Sequence, residues 1–320
     1  MKDFLTEDLL EQNTSLSVAE SSVLKILLYF DIFQHPLRAE EIAAYSEYGL
    51  EGITDIQAAL NKLCSNELIK CHDSFYFIHS DAASVQRRLE GENHAQKALK
   101  KAKWFSGIIA RFPFVRGICL SGSISKNYMD ANADIDYFVI TSAGRMWLAR
   151  TLLVLFKKIF LLNSKKYFCV NYFVTEESLS IPNKNIFTAT ELAFLIPTYG
   201  QEQYRNLMRS NNWYRNYYPK FSLRDETWMV KSKKYFLKYF FEKMLSGSFG
   251  EKADSLFFRI TLNHWKKKFN YFDEETFDLR LRSRKNESKH HPLGYQEKIL
   301  NQFQENLFKF ENSHSIKLSL

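Results

Sequence analysis

The stretch 118–140, ICLSGSISKNYMDANADIDYFVI, constrains this chain more than any other. It opens as an apolar strand, Gly117-Ile118-Cys119-Leu120, and breaks at Ser121-Gly122-Ser123. A polar segment of helix length, 124–133, follows, and the chain returns to an extended run from Asp134 through Asp136 to Ile140. Side chains alternate along a strand, so Asp134 and Asp136 share one face. Two carboxylates so close repel each other unless a cation sits between them. Hard oxygen ligands suit Mg2+, which takes one or two protein carboxylates and completes its shell with water and phosphate oxygens. A Gly-Ser turn opening a helix offers backbone N–H groups and a positive helix end to an anion. The pattern thus predicts a metal site (Asp134, Asp136) beside a phosphate site (Gly122, Ser123).

With these residues the chain resembles the DNA polymerase beta-type nucleotidyltransferase superfamily, whose signature is a Gly-Ser at a helix start and an Asp-x-Asp strand about ten residues on. More narrowly it is similar to a group of uncharacterised bacterial proteins that join a winged-helix-like N-terminus to such a domain. That likeness runs through YFDIFQHPL (29–37), PFVRG (113–117), GRMWLAR (144–150), FCVNYFV (168–174), TATELAFLIPTYG (188–200) and SKHHPLG (288–294). The resemblance implies magnesium-dependent transfer of a nucleoside monophosphate from an NTP, with ATP the favoured nucleotide, to an acceptor hydroxyl, releasing pyrophosphate. It implies catalytic Asp134 and Asp136, and nucleotide contacts from Gly122, Ser123 and Lys126. It also implies a third carboxylate on the next strand, 167–174. None is there: 137–175 holds no Asp or Glu. Asn171 occupies the strand and can ligate a metal through its carbonyl but cannot take a proton. Glu176 and Glu177 follow it and are candidate substitutes.

Arg145 and Arg150, after the Asp-x-Asp strand, carry two readings: contact with the triphosphate or second substrate, since guanidinium forks match phosphate oxygens, or structural pairing. Glu191 also carries two, approach to the site or a capping box with Thr188.

The fold expected is mixed α/β in three parts: a winged helix (1–83), a nucleotidyltransferase sheet with helices (84–184) and a helical domain (185–320). In the first, capping boxes at Ser17-Glu20 and Thr54-Gln57 open helices, and 68–78 reads as a hairpin. The outward residues of its third helix (Asp55, Gln57, Ala58, Asn61, Lys62, Ser65) include one base, and phosphate contacts need several. Nucleic-acid binding is therefore the less favoured reading and partner docking the favoured one. Basic residues from Arg87 and Arg88 to Lys103 read as a solvated helix face. In the third part, 228–244 interleaves lysines with aromatics, read as an amphipathic helix with an aromatic core face. The segment 278–292 reads as a charged loop, and adjacent His290 and His291 as a poor metal pair.

A chain of 320 residues with 45% hydrophobic content can bury real cores, and a net charge of +8 favours an anionic partner. Four cysteines without a Cys-x-x-Cys pair read as reduced thiols, and the acidic start as no signal peptide. The most apolar run, 151–162, carries Lys157 and Lys158 and is too short to span a bilayer. The expectation is a cytoplasmic protein with no membrane partner; its oligomeric state is not legible. Two other classes stay open: a nucleotide-sensing DNA-binding regulator, and a catalytically silent structural partner.

Overall fold

The computed structural model describes residues 16–46, 53–231 and 235–318, and over these the protein is mixed α/β. Its contacts divide it into two compact units: residues up to Arg88 with Arg215–Phe221 and the chain from Glu297, and Leu89–Tyr214 with Ser222–Gln296.

In the first unit α1 (Val18–Asp31) begins at the expected capping box: the Glu20 amide donates to Ser17 Oγ (3.2 Å) and the Ser17 amide to Glu20 Oε2 (3.0 Å). β1 (Leu37–Arg38), α2 (Ala39–Tyr45), α3 (Ile53–Ser65), β2 (Lys70–His72) and β3 (Phe75–Phe77) follow. The strands form one antiparallel sheet in the order β1-β3-β2. The acidic start and the Thr54 side chain lie outside the described residues. On α3 the single base of the outward set, Lys62, is held by Glu20 at 2.7 Å. α4 (Ala82–Ile109) starts here, and Arg88 is buried rather than solvated: it donates to the Pro36 carbonyl (3.1 Å) and to Glu41 Oε1 (2.7 Å).

α1 is apolar on nearly every face, with Val23, Leu24, Leu27, Leu28, Tyr29 and Phe30 all buried. Such a helix needs cover on more than one side. Part of it comes from the far end of the sequence, where Phe303 stands edge-on to Tyr29 at 5.4 Å. Hence 185–320 does not stay together: 215–221 and 297 onward belong with the first unit.

In the second unit the rest of α4 feeds Ala95, Ala98, Ala102, Phe105 and Ile109 into the core. β4 (Val115–Ser121) leads to a 3-10 turn (Ser123–Lys126), then β5 (Asp136–Thr141), α5 (Met146–Phe160) and β6 (Cys169–Thr175). Next come α6 (Ile186–Ala193), β7 (Ile196–Tyr199) and α7 (Gln201–Ser210). After them stand α8 (Phe236–Met244), α9 (Ser248–Lys268), α10 (Glu274–Arg280), β8 (Ser283–Arg284) and β9 (Glu287–Lys289). α11 (Tyr295–His314) ends the series and lies mostly in the first unit. The sheet order is β7-β4-β5-β6-β9-β8; β5 and β6 run parallel and the other neighbours antiparallel.

Three segments differ from the sequence reading. The helix opened at Thr188-Glu191, which the sequence suggests runs to Ile196-Pro197, stops at Ala193, and Ile196–Tyr199 form a strand on the sheet edge, where Pro197 costs no ladder bond on its outer side. Part of 278–292, read as a loop, is the β8–β9 hairpin, which extends the sheet through β6. On α8 the expected polarity is inverted: Lys238 is buried, its Nζ donating to the Ala110 (2.9 Å) and Val115 (2.7 Å) carbonyls, while the aromatics face outward. Lys233 and Lys234 lie outside the described residues. No helix among the described residues is long and apolar enough to cross a membrane.

Candidate functional site

β4 and β5 are antiparallel, so the last residue of one meets the first of the other: Ser121 pairs with Asp136. Gly122 makes the turn out of β4 at φ 68°. A Cβ there would fall 2.6 Å from Asp136 Oδ2, so backbone conformation and space both require glycine. The loop is tighter than expected: one 3-10 turn with Asn127 left-handed after it, where the sequence suggested a full helix. Ser123 opens that turn.

Asp136 Oδ1 accepts from Asn171 Nδ2 at 2.7 Å. Asn171 sits on β6 beside the start of β5, and its own Oδ1 is enclosed without a hydrogen-bond partner. Burial pushes the Asp136 carboxyl up to about 6, the charges of Glu191 and Asp134 push the same way, and hydrogen bonds from Cys169 and Asn171 oppose them. Ile135, between the two acids, is fully buried; β5 begins at Asp136 and not at Asp134 as the sequence suggested, and Asp134 lies near enough for its charge to act on Asp136.

A further carboxylate, Glu191, reaches the turn from α6. The cap of that helix is Asn185, whose Oδ1 accepts from the Thr188 amide (3.0 Å), so the Thr188–Glu191 capping box does not form. Glu191 reaches the turn instead: Oε2 accepts from the Gly122 amide at 3.4 Å and Oε1 pairs with Lys126 Nζ at 2.7 Å. Lys126 also donates to the Gly122 carbonyl (3.1 Å). The signal for Glu191 was available in the sequence, since Asn185 three residues before Thr188 is the better cap.

Glu176 and Glu177 do not substitute. β6 runs parallel to β5 with Cys169 opposite Asp136, which puts residue 176 seven residues, about 20 Å, along the sheet. Glu176 there accepts from Gln203 Nε2 (2.9 Å). Arg145 also lies beyond the far end of β5, about 17 Å from Asp136 by strand length alone. Its guanidinium donates to the carbonyls of Gly144 (2.7 Å), Leu245 (2.8 Å), Ser246 (2.5 Å) and Gly247 (3.2 Å). Arg150 is packed among rings, 4.7 Å over Trp265 and 5.6 Å over Trp147, and burial lowers it to about 10. Of the two readings of these arginines, contact with phosphate and structural pairing, the structural one fits the bonds Arg145 makes at the opposite end of the sheet.

The large cavity, about 1000 Å³, is also at that opposite end, lined by Phe114, Arg145, Tyr239, Asp254, Phe258 and Lys285 among others. It contains none of Asp134, Asp136 or Glu191. Volume and chemistry point to different ends, and chemistry decides, because reactive groups need mutual geometry before room.

His290 and His291 point apart, one against Trp265 (4.8 Å) and the other toward Tyr172 (6.2 Å). His291 stands in the field of Glu191, with burial, then Lys289, lowering it to about 4. Among the described residues no three His, Cys, Asp or Glu side chains stand as a metal cluster. What the site has is hard oxygen: Asp136 with Asp134 and Glu191 in its field, and the unpartnered Asn171 Oδ1. This donor set fits Mg2+, which needs few protein ligands. No family model, no curated protein and no solved structure matches this chain.

Proposed function

We propose that the chain is a polymerase beta-type nucleotidyltransferase, moving NMP from an NTP, ATP first among candidates, to an acceptor hydroxyl. The observation that carries the reading is the convergence at Gly122: its backbone is pressed on Asp136 Oδ2 while its amide faces Glu191. A phosphate-holding turn and carboxylates from two elements thus share one point. The 3-10 turn from Ser123 would seat the phosphate tail, and Lys126, already at the Gly122 carbonyl, would swing from Glu191 to a phosphate oxygen. Asp134, Asp136 and the Asn171 carbonyl would hold Mg2+, which when bound offsets charge on the phosphates. Glu191, freed from Lys126, would take the acceptor proton as its oxygen bonds to the α-phosphorus and pyrophosphate leaves. Under this reading the first unit is a winged helix used for docking, since Lys62 is already paired with Glu20.

A second reading, nucleotide binding without turnover, is favoured by one observation. Lys126 neutralises Glu191 at 2.7 Å and Asn171 occupies Asp136 Oδ1, so both proton-accepting groups are engaged. Calorimetry with each NTP and Mg2+, followed by pyrophosphate release with candidate acceptors, separates the two. Binding with release supports the enzyme, binding without release the sensor, and no binding removes both.

A further inference from the structure

α8 is docked by its polar side. Lys238 is 9% exposed, and Glu242 turns inward to accept from the Phe114 amide (2.6 Å) and Arg116 Nη1 (2.7 Å). The remaining arc carries Phe236, Leu237, Tyr239, Phe240, Phe241 and Met244, all exposed, Phe236 by 78% and Leu237 and Tyr239 by 67% each. Phe249, in the first turn of α9, is 70% exposed. At 100° per residue these α8 side chains cover more than half the helix circumference. Leaving so many large apolar groups in water is costly, and a contiguous face of this size marks a contact surface.

The same stretch of chain borders a basic cleft. Just before α8, a cavity of about 320 Å³ is lined by Lys103, Trp104, Arg111, Lys231 and Tyr235, with no carboxylate among its described lining residues. Arg111 lies 5.5 Å over the Tyr235 ring, and Tyr235 is the residue next to Phe236. Trp104 is exposed at the rim.

We propose that this face seats on an anionic phospholipid surface, with α8 lying in the interface and the cleft taking a headgroup phosphate. Charge decides between occupants. Lys243 stands exposed among these apolar groups, and a second copy of the same face would bring it more positive charge and no anion. An anionic surface neutralises Lys243 and the three cleft cations together. A nucleic-acid groove would separate its rings along a basic track, whereas here Leu237 and Met244 fill the spaces between aromatics as an acyl layer requires. This is a contact along the surface and not a span. The sequence reading assigned these aromatics to a core, and its expectation of no membrane partner rested on a different segment, 151–162, being too short to span a bilayer.

The test is co-sedimentation of the full chain with phosphatidylcholine vesicles and with vesicles containing phosphatidylglycerol. Binding is expected only to the second, weakening with salt. Phe236→Ser with Phe240→Ser should lower the partition coefficient by at least about tenfold. Lys103→Gln and Arg111→Gln should each lower it about fivefold. Thermal melts of the aromatic variant should match the parent, because Phe236 and Phe240 are exposed. Four results overturn the proposal: no binding to either vesicle; unaltered binding by the aromatic variant; release of vesicle-bound protein by a single-stranded oligonucleotide; or a vesicle-free dimer, seen by light scattering, that the aromatic variant abolishes. Nucleotide binding is measured separately, and its failure leaves this result standing.

Discussion

The two ends of β5 both carry charged groups and use them in different ways. At the end beyond Thr141 the charges are spent on structure. Arg145 is saturated by four carbonyls, and the buried Asp254 accepts from the Leu148 amide at 2.8 Å, tying down the start of α5. At the Asp136 end they are held in tension. Burial, with the charges of Glu191 and Asp134, favours the proton on Asp136, Asn171 Oδ1 has no partner, and the turn at 122 admits only glycine. Buried polar groups left incompletely satisfied are costly and persist where something else repays them. Unpartnered atoms occur at both ends, Asn171 Oδ1 at one and Ser142 Oγ and Thr175 Oγ1 at the other. What singles out the Asp136 end for the proposed site is the approach of Gly122 to Asp136 and Glu191, although the cavity of about 1000 Å³ is at the opposite end.

Asp136→Asn gives the largest expected effect on that contrast. It should cut turnover about a thousandfold, because a neutral amide holds the cation more weakly than a carboxylate and removes the negative charge that makes a cation welcome. The same change should raise stability in metal-free buffer by about 1 kcal/mol, since a strained buried charge is removed. Loss of stability together with loss of activity would show that Asp136 is structural. Arg145→Ala should do the reverse: stability falls by about 3 kcal/mol, as carbonyls of 245–247 lose their donor, while affinity for Mg2+-ATP stays within about twofold at a temperature where the variant is folded. Urea unfolding and calorimetry read both quantities. An unchanged urea midpoint with weakened ATP binding would move the phosphate site to the other end of the strand.

A pair of glutamates sharpens the comparison further. Glu191→Gln should slow pyrophosphate release about a hundredfold with little change in ATP affinity, because it removes the proposed proton acceptor. Glu176→Gln, at the far end of β6, should leave the rate unaltered. Equal rates for the two variants would leave the proton with another group and favour binding without turnover.

Much of this was legible, and the failures have physical causes. The turn at Gly122 and the strand that follows it through Asp136 could be placed because the constraint is local: period-two alternation and a glycine at a turn. Asn171 could be placed on the neighbouring strand, though not its contact with Asp136, which depends on strand register. Glu191 was named but not decided, because α6 could begin at Thr188 or at Asn185 and only the latter frees its side chain. Arg145 misled because an arginine after a strand looks the same whichever end of the sheet it serves. α8 misled more thoroughly: apolar residues are assigned inward by default, and only tertiary contacts reveal a buried Lys238. The separation of 297 onward from the rest of the helical segment rests on contacts of α11 with α1, which no local pattern encodes.

Acidity gives the smallest effect and the one in which the two ends oppose their neighbours. Burial raises Asp136 and Asp254 to about 6 from 3.8, so between those values the folded chain holds more protons than the unfolded one. Their contribution to stability is full below about pH 4 and is lost as pH rises through 6. Burial lowers His290 to about 3 and His291 to about 4 from 6.5, so there the unfolded chain holds more protons, and stability is lost as pH falls from 6.5. The histidines are displaced further than the acids, so the net expectation is a fall of about 1 kcal/mol on going from pH 7 to pH 5 without metal. In His290→Phe, which keeps a ring against Trp265, the acids should prevail and the urea midpoint should rise toward pH 5. Mg2+ adds a second test at the same pH. A bound cation holds Asp136 ionised, so added Mg2+ should stabilise the chain at pH 7 and progressively less toward pH 5, with the dependence absent in Asp136→Asn. A dependence that survives in that variant would place the cation elsewhere.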